Sequence, residues 1–306
     1  MRPIKGIVKD FFCNPRAFLK GLLTHCAPLV WNDKFYLQSL WYLKFGKKLD
    51  LKNPKSFNEK LQWLKLYDRK PIYTTMVDKV KAKKYVADII GEEYIIPTLG
   101  VWEKAEDIDF DSLPEKFVLK CNHDSGNGMC ICNDKSKLDL TKVRIELNKG
   151  LKSSYYIYNR EWPYKDVPRR IIAEEFLGNN LQDYRVYCFC GVPKLIYSYT
   201  NISMADGSKP EPSYCDIFDS NWNPVPYHQR SLPRGEIHQP IFLQKMIKLA
   251  TSLSQTAPFA RVDFYEINNR LYIGELTLYP GSGFAYFDPE EWDYKLGEWL
   301  QLPITK

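Results

Sequence analysis

Near the C-terminus two strand-like runs, Arg261-Val262-Asp263-Phe264 and Gly274-Glu275-Leu276-Thr277, flank Asn268-Asn269 and lead into Pro280-Gly281-Ser282-Gly283. An asparagine pair between such runs marks a β-hairpin, which commits this region to antiparallel pairing. The register then decides what the hairpin can do. With a three-residue turn, Asn268, Asn269 and Arg270, Asp263 lies across from Glu275, and Thr277 follows on the same face because side chains alternate with period two. A two-residue turn sets Asp263 against Gly274 and sends the carboxylates to opposite faces, unless a bulge restores the register. Asp263, Glu275 and Thr277 on one face form an oxygen-only site for a hard cation such as Mg²⁺; the competing reading is a surface hairpin whose acids are merely solvated.

At 306 residues and 44% hydrophobic content, the chain can bury a substantial core. Its formal net charge is +6 over abundant Asp and Glu, which favours an anionic ligand only mildly, and no nucleic acid partner is expected. No run of about 18 apolar residues is present. Lys5, Lys9, Arg16 and Lys20 interrupt the apolar stretch that a signal peptide needs, so the expected compartment is the cytoplasm. Eight cysteines include no C-x-x-C pair. Cys130-x-Cys132 and Cys188-x-Cys190 suit strands that turn two small side chains to one face, which favours reduced core thiols over zinc ligands.

Residues 1–70 read as mostly helical, with Asn14-Pro15 interrupting any single helix. This basic amphipathic stretch either lies on an anionic membrane surface, as a peripheral contact, or packs on the domain C-terminal to it. Ser56 and Glu59 stand at capping-box spacing before Leu61 and Leu64. Ala82, Tyr85, Val86, Ile89 and Ile90 recur with helical period, Gly91 closes that helix, and Asp78-Lys79 falls in its first turns. From Phe117 the pattern changes to strands. Phe117–Cys121 and Met129–Cys132 enclose the glycine-bearing loop 122–128, and a second hairpin turns at Cys190-Gly191. Helices followed by sheet indicate an α+β fold rather than a βαβ array.

Lys79, Lys120, the loop Ser125-Gly126-Asn127-Gly128 and the carboxylate pair are together what handling of a nucleoside triphosphate demands. Glycine amides approach phosphate oxygens, lysines supply point charges, and a divalent cation bridges the phosphates. Each part alone also has a bland reading, as a plain turn or a lysine reaching to solvent.

Four segments carry a resemblance that spans roughly residues 52–290: Asp78-Lys79 with its lysine-rich helix; Val118-Leu119-Lys120-Cys121-Asn122-His123 with Ser125-Gly126; Ile172-Ala173-Glu174-Glu175-Phe176-Leu177; and the C-terminal hairpin with its glycine loop. Glu161-Trp162-Pro163-Tyr164 and Asp183-Tyr184-Arg185 add to it. The chain resembles the ATP-grasp superfamily, and within it the TupA-like family associated with teichuronopeptide and capsular or O-polysaccharide biosynthesis. The resemblance implies an ATP-grasp fold of two α+β lobes holding ATP between antiparallel sheets. Residues 1–70 would be a helical extension, 71–177 the first lobe and 178–306 the second.

Carried over by position, Lys79 and Lys120 contact ATP phosphates under the Ser125–Gly128 loop. Glu174, Glu175, Phe176 and Leu177 form the adenine hinge, Asp183 holds the ribose, and Asp263 and Glu275 bind Mg²⁺. Thr277 stands where the superfamily usually has Asn. Arg185, Lys194, Arg261 and His123 are catalytic candidates around the γ-phosphate and a carboxylate substrate; for Lys194 an interstrand salt bridge is the alternative, and for His123 a structural hydrogen bond.

The implied reaction is attack of a carboxylate on ATP to give an acylphosphate, followed by attack of an amine to give an amide. By family context the carboxylate is a uronic acid and the amine an amino acid, with Trp162, Tyr164, Tyr279, Phe284 and Tyr286 as a candidate sugar-facing wall. Two rivals remain. A glycosyltransferase would need an Asp-x-Asp metal motif, and Asp109-Phe110-Asp111 has the letters but lies in a polar turn. A nucleotide-binding assembly module without chemistry is the other.

Overall fold

A computed structural model of the chain describes residues 14–124, 128–178, 181–200, 214–229, 231–235 and 238–304. Asn14 caps α1 (Pro15–His25) through its side chain, and Pro15 sits at the first helical position, where a missing N–H costs nothing. α2 (Asp33–Phe45) follows and stops at left-handed Gly46. Ser56 and Glu59 close the expected capping box at the head of α3 (Phe57–Tyr67), and Leu61 and Leu64 are buried. After the short α4 (Ile72–Val77), α5 (Lys81–Ile90) ends at Gly91 as its periodicity predicts. Asp78 and Lys79 precede α5 rather than opening it. Asp78 Oδ1 accepts the Val80 N–H at 3.0 Å, a side-chain turn that offers the backbone an alternative to the helix.

The described residues form two sheets, both antiparallel, and the fold is α+β. β1 (Thr98–Trp102), β2 (Phe117–Cys121), β3 (Met129–Cys132) and β4 (Ile171–Glu175) are ordered β1-β4-β2-β3. Edge strand β1 escaped the sequence reading because Thr98-Leu99-Gly100-Val101-Trp102 lacks a buried alternation; Leu99 and Val101 are exposed. β5 (Gln182–Phe189), β6 (Val192–Thr200), β7 (Tyr214–Asp219), β8 (Phe259–Ile267) and β9 (Arg270–Thr277) are ordered β7-β6-β5-β8-β9. The β5–β6 hairpin turns at Cys190-Gly191, both with positive φ. Between and after the strands lie α6 (Leu140–Lys152), α7 (Tyr155–Asn159), α8 (Leu243–Leu253) and α9 (Glu291–Trp299).

The largest core joins β5–β9 to helices from the first third of the chain: Leu61, Met76 and Val86 pack in one cluster with Val262, Phe264 and Leu276. A smaller core holds β2 and β4 against α6 through Leu119, Ala173 and Leu147. A third surrounds Tyr36, Leu37 and Trp41 of α2. The division expected at residue 71 therefore cuts through a shared core, since α3 on one side and α4 and α5 on the other all pack with β8 and β9. An apolar helical face specifies burial but not which sheet will cover it.

Candidate functional site

β8 and β9 meet in a turn of two residues, not three: Ile267 pairs with Arg270, and Asn268 and Asn269 take φ of 49° and 58°. That turn alone would set Asp263 against Gly274. A bulge absorbs Gly274, so Asp263 faces Glu275 and Arg261 faces Thr277. Glycine suits the bulge, because a Cβ there would meet the Tyr265 ring at 2.9 Å.

Arg261 fills the space between the two acids. Its Nε donates to Asp263 Oδ1 at 2.6 Å, and its Nη2 donates to Glu275 Oε1 at 2.8 Å and to Asp263 Oδ2. Thr277 Oγ1 donates to Glu275 Oε1 at 3.0 Å. Arg185, paired with Asp263 across β5 and β8, donates twice to Asp183 Oδ2, at 2.7 and 2.8 Å, and stands 3.8 Å from Asp263. Its guanidinium lies 4.1 Å from the Tyr199 ring centre. Lys79 Nζ reaches to 3.9 Å from Glu275 Oε2 and donates to the Asp124 carbonyl at 2.5 Å. On the four-stranded sheet, Glu174 bonds Lys120 of β2 and, at 2.7 Å, Lys83 of α5.

Burial raises the Asp263 carboxyl above its ordinary range, against the pull of Arg261 and Arg185. Burial also raises Glu275, but Lys79, Arg261 and Arg185 outweigh it and hold that carboxyl at about 2. Desolvation lowers Lys79 and Lys83, countered by Glu275 and Glu174 respectively. Glu174 is pulled low by Lys120 and Lys83 in spite of its burial.

A network around Asp78 fixes Lys79 relative to the end of β2. Asn122 Nδ2 donates to Asp78 Oδ1 at 2.8 Å, Arg170 Nη2 to Asp78 Oδ2 at 3.0 Å, and the Lys79 N–H to the Asn122 carbonyl at 3.2 Å. Between α5, β4 and β9 opens a cleft. Its lining includes apolar Val77, Ala82, Val86, Ile96 and Ile273 together with Lys79, Lys83, Glu174 and Glu275.

The structure thus brings together Lys79, Lys120, Glu174, Arg185, Asp183, Arg261, Asp263, Glu275 and Thr277. Other candidates stand apart. Ser125, Gly126 and Asn127 lie outside the described residues. Gly128, φ 62°, packs against α6, where a Cβ would come within 2.7 Å of Cys121 Sγ and 3.0 Å of Gly150 Cα. His123 is buried, its Nδ1 is 3.4 Å from Asn122 Oδ1, and burial lowers its pKa, which suits a neutral structural ring. Glu174, expected in the adenine hinge, commits its carboxylate to the two lysines. Glu175 is exposed and its N–H bonds the Pro97 carbonyl at 3.1 Å; Phe176 and Leu177 continue beyond β4, half-buried. Asp183 keeps one buried oxygen, Oδ1, without a partner. Lys194 is the unpaired residue of a bulge between β5 and β6 and joins no ion pair of this cluster among the described residues. Of the proposed aromatic wall, Tyr279 and Phe284 are core residues and Tyr286 is exposed, while Tyr164 lines the cleft.

Two features went unread in the sequence. Lys83 was hidden among the lysines of α5, although its neighbours Ala82 and Val86 mark the helix face that meets the cleft. The second is a sealed cluster. Lys65 Nζ donates to Gln62 Oε1, the Asn159 carbonyl and the Ser282 carbonyl at 3.0, 2.9 and 2.7 Å, and Ser282 Oγ donates to Glu161 Oε1 at 2.5 Å. Ser282 has a φ of 55°, costly for a residue with a Cβ, and this cluster holds it there. Burial pushes Lys65 down and Glu161 up.

A search of curated protein sequences found no match. Among solved structures, the chain is similar to a D-alanine–D-alanine ligase from Bacillus anthracis complexed with ATP, at 18% identity and a TM-score of 0.40, over 67% of this chain and 54% of that one. It is also similar to an L-amino acid ligase from Bacillus licheniformis, at 12% identity and a TM-score of 0.48, over 84% and 57%. An N5-carboxyaminoimidazole synthetase from Staphylococcus aureus complexed with ADP matches at 14% identity and a TM-score of 0.42, over 81% and 57%. The chain spans little more than half the length of these structures. The family profile described as TupA-like ATPgrasp matches residues 59–301, and the chain belongs to that family.

Proposed function

We propose that this chain is an ATP-dependent carboxylate–amine ligase that works through an acylphosphate. The observation that carries this is one cleft lined both by apolar side chains, Val77, Ala82, Val86, Ile96 and Ile273, and by Lys79, Lys83, Glu174 and Glu275, with Lys79, Arg261 and Arg185 joined in one chain of ion pairs and Lys83 and Lys120 sharing Glu174. Lys79 and Lys120 hold the phosphates, and Arg185 and Arg261 hold the carboxylate substrate and the oxygens that gain charge as the γ-phosphoryl group moves. The carboxylate oxygen bonds to γ-phosphorus as the bond to ADP breaks. The amine then bonds to the acyl carbon, inorganic phosphate leaves, and the amine's surplus proton passes to solvent.

The hairpin fits a hard divalent cation. Its donors, Asp263, Glu275 and Thr277, are all oxygen, and the two carboxylates already converge on a single cationic group, Nη2 of Arg261. When bound there, Mg²⁺ would neutralise phosphate charge.

For the substrate pair we propose a uronic acid carboxylate of a cell-surface polysaccharide precursor and an amino acid amine, on the family resemblance. Incubation with ATP, Mg²⁺, uronates and amino acids, with ADP and phosphate monitored, tests both levels. ADP release that requires both partners supports ligation. UDP release from a UDP-sugar would replace it with glycosyl transfer, and ATP binding without turnover across the panel would leave only a binding module.

A further inference from the structure

The corner between α1 and α2 leaves large apolar groups in solvent. Leu29 is 78% exposed, Trp31 97% and Phe35 59%, and Leu19 and Leu22 on the adjoining face of α1 are 41% and 50% exposed. These are not remnants of a core left half-closed. The inward side of the corner is already packed, since Leu23 and Val30 meet Tyr36, Leu37, Leu40 and Trp41. No residue of α1 is buried. Apolar side chains therefore point both ways, and among the described residues the inward set is the one that is packed.

The charges around the patch carry one sign. Between residues 14 and 49 the only acid is Asp33, and it is turned inward, with Arg69 at 2.8 Å, Arg160 at 3.4 Å and the Tyr156 hydroxyl at 2.8 Å. Arg16, Lys20 and Lys34 flank the exposed groups. A tryptophan and leucines with lysines close in sequence, and no carboxylate of residues 14–49 left free, match an anionic bilayer, whose interface takes an aromatic ring and whose headgroups attract the cations.

We propose that this corner docks the protein onto an anionic lipid bilayer, with Leu29 and Trp31 entering the interface and Lys20 and Lys34 meeting the headgroups. The surface is separate from the cleft, so the inference does not depend on the ligase reading. Flotation of the full chain with phosphatidylcholine vesicles, with and without about a quarter phosphatidylglycerol, tests it. Binding should require the anionic lipid and weaken with salt. Leu29→Ser with Trp31→Ser should lower the bound fraction about tenfold, and Lys20→Glu with Lys34→Glu comparably, at unchanged Tm. Failure of the full chain to float with anionic vesicles overturns the proposal, as does equal flotation of the variants. A lipid-free dimer that Trp31→Ser disperses would show instead that a second copy covers the patch.

Discussion

Two charged clusters share the interior of this protein, and they differ in what completes them. In the sealed one a single ammonium, Lys65, sits with a single carboxyl, Glu161, and Gln62, Ser282 and the Asn159 carbonyl take up the remaining hydrogen bonds. In the cleft the described ion pairs link five cations, Lys79, Lys83, Lys120, Arg185 and Arg261, to four carboxylates, Glu174, Asp183, Asp263 and Glu275. Glu275 keeps 30% of its side chain exposed. The sealed cluster is complete within the fold. The open one keeps a mouth, and so can admit an anion from outside to its cations.

If that contrast is correct, substitutions should separate function from stability. Glu275→Gln should cut ATP turnover about 10³-fold or more, while the Tm moves little; retained turnover would remove the hairpin from the chemistry. Lys65→Met should do the reverse, costing about 3–5 kcal/mol in urea unfolding because Gln62 Oε1 and the Asn159 and Ser282 carbonyls lose their buried donor and Glu161 loses the nearby positive charge. Adding Glu161→Gln should recover part of that loss. A Lys65→Met protein of normal stability would mean the sealed pair is not structural. Lys120→Met should weaken ATP affinity about tenfold in calorimetry, with Lys83 still holding Glu174 in place; unchanged affinity would separate Lys120 from the phosphates.

The smallest expected effect is on pH. A carboxyl held at about 2, below its ordinary 4.5, stabilises the fold above the ordinary value and loses that contribution as pH falls from 4.5 to about 2. Because Glu275 is partly exposed, the difference is about 1 kcal/mol. The urea midpoints of the wild type and Glu275→Gln should therefore converge over that window, and a gap that stays constant would show that Glu275 is not held low.

What the sequence disclosed was what nearest neighbours determine. Ser56 and Glu59 announce α3, Gly91 ends α5, and Cys190-Gly191 turns a hairpin, because each acts through its own backbone. The opposition of Asp263 and Glu275 was also legible, but not its cause: Asn268-Asn269 suits a two-residue turn, and only the packing of Tyr265 over Gly274 shows where the extra residue goes. Lys65 and Glu161 could not be paired on paper, since close to a hundred residues separate them and nothing local links them. A still longer separation hides the partnership of α3, α4 and α5 with β8 and β9.

The bulge at Gly274 sits between the hairpin tip and the acids, and that placement has a practical side. Alignment of the two carboxylates is secured below the tip, so residues 268 and 269 form a permissive point for grafting a short peptide or a fluorophore. Position 274 offers no such latitude, because even a methyl group would have to displace an aromatic ring.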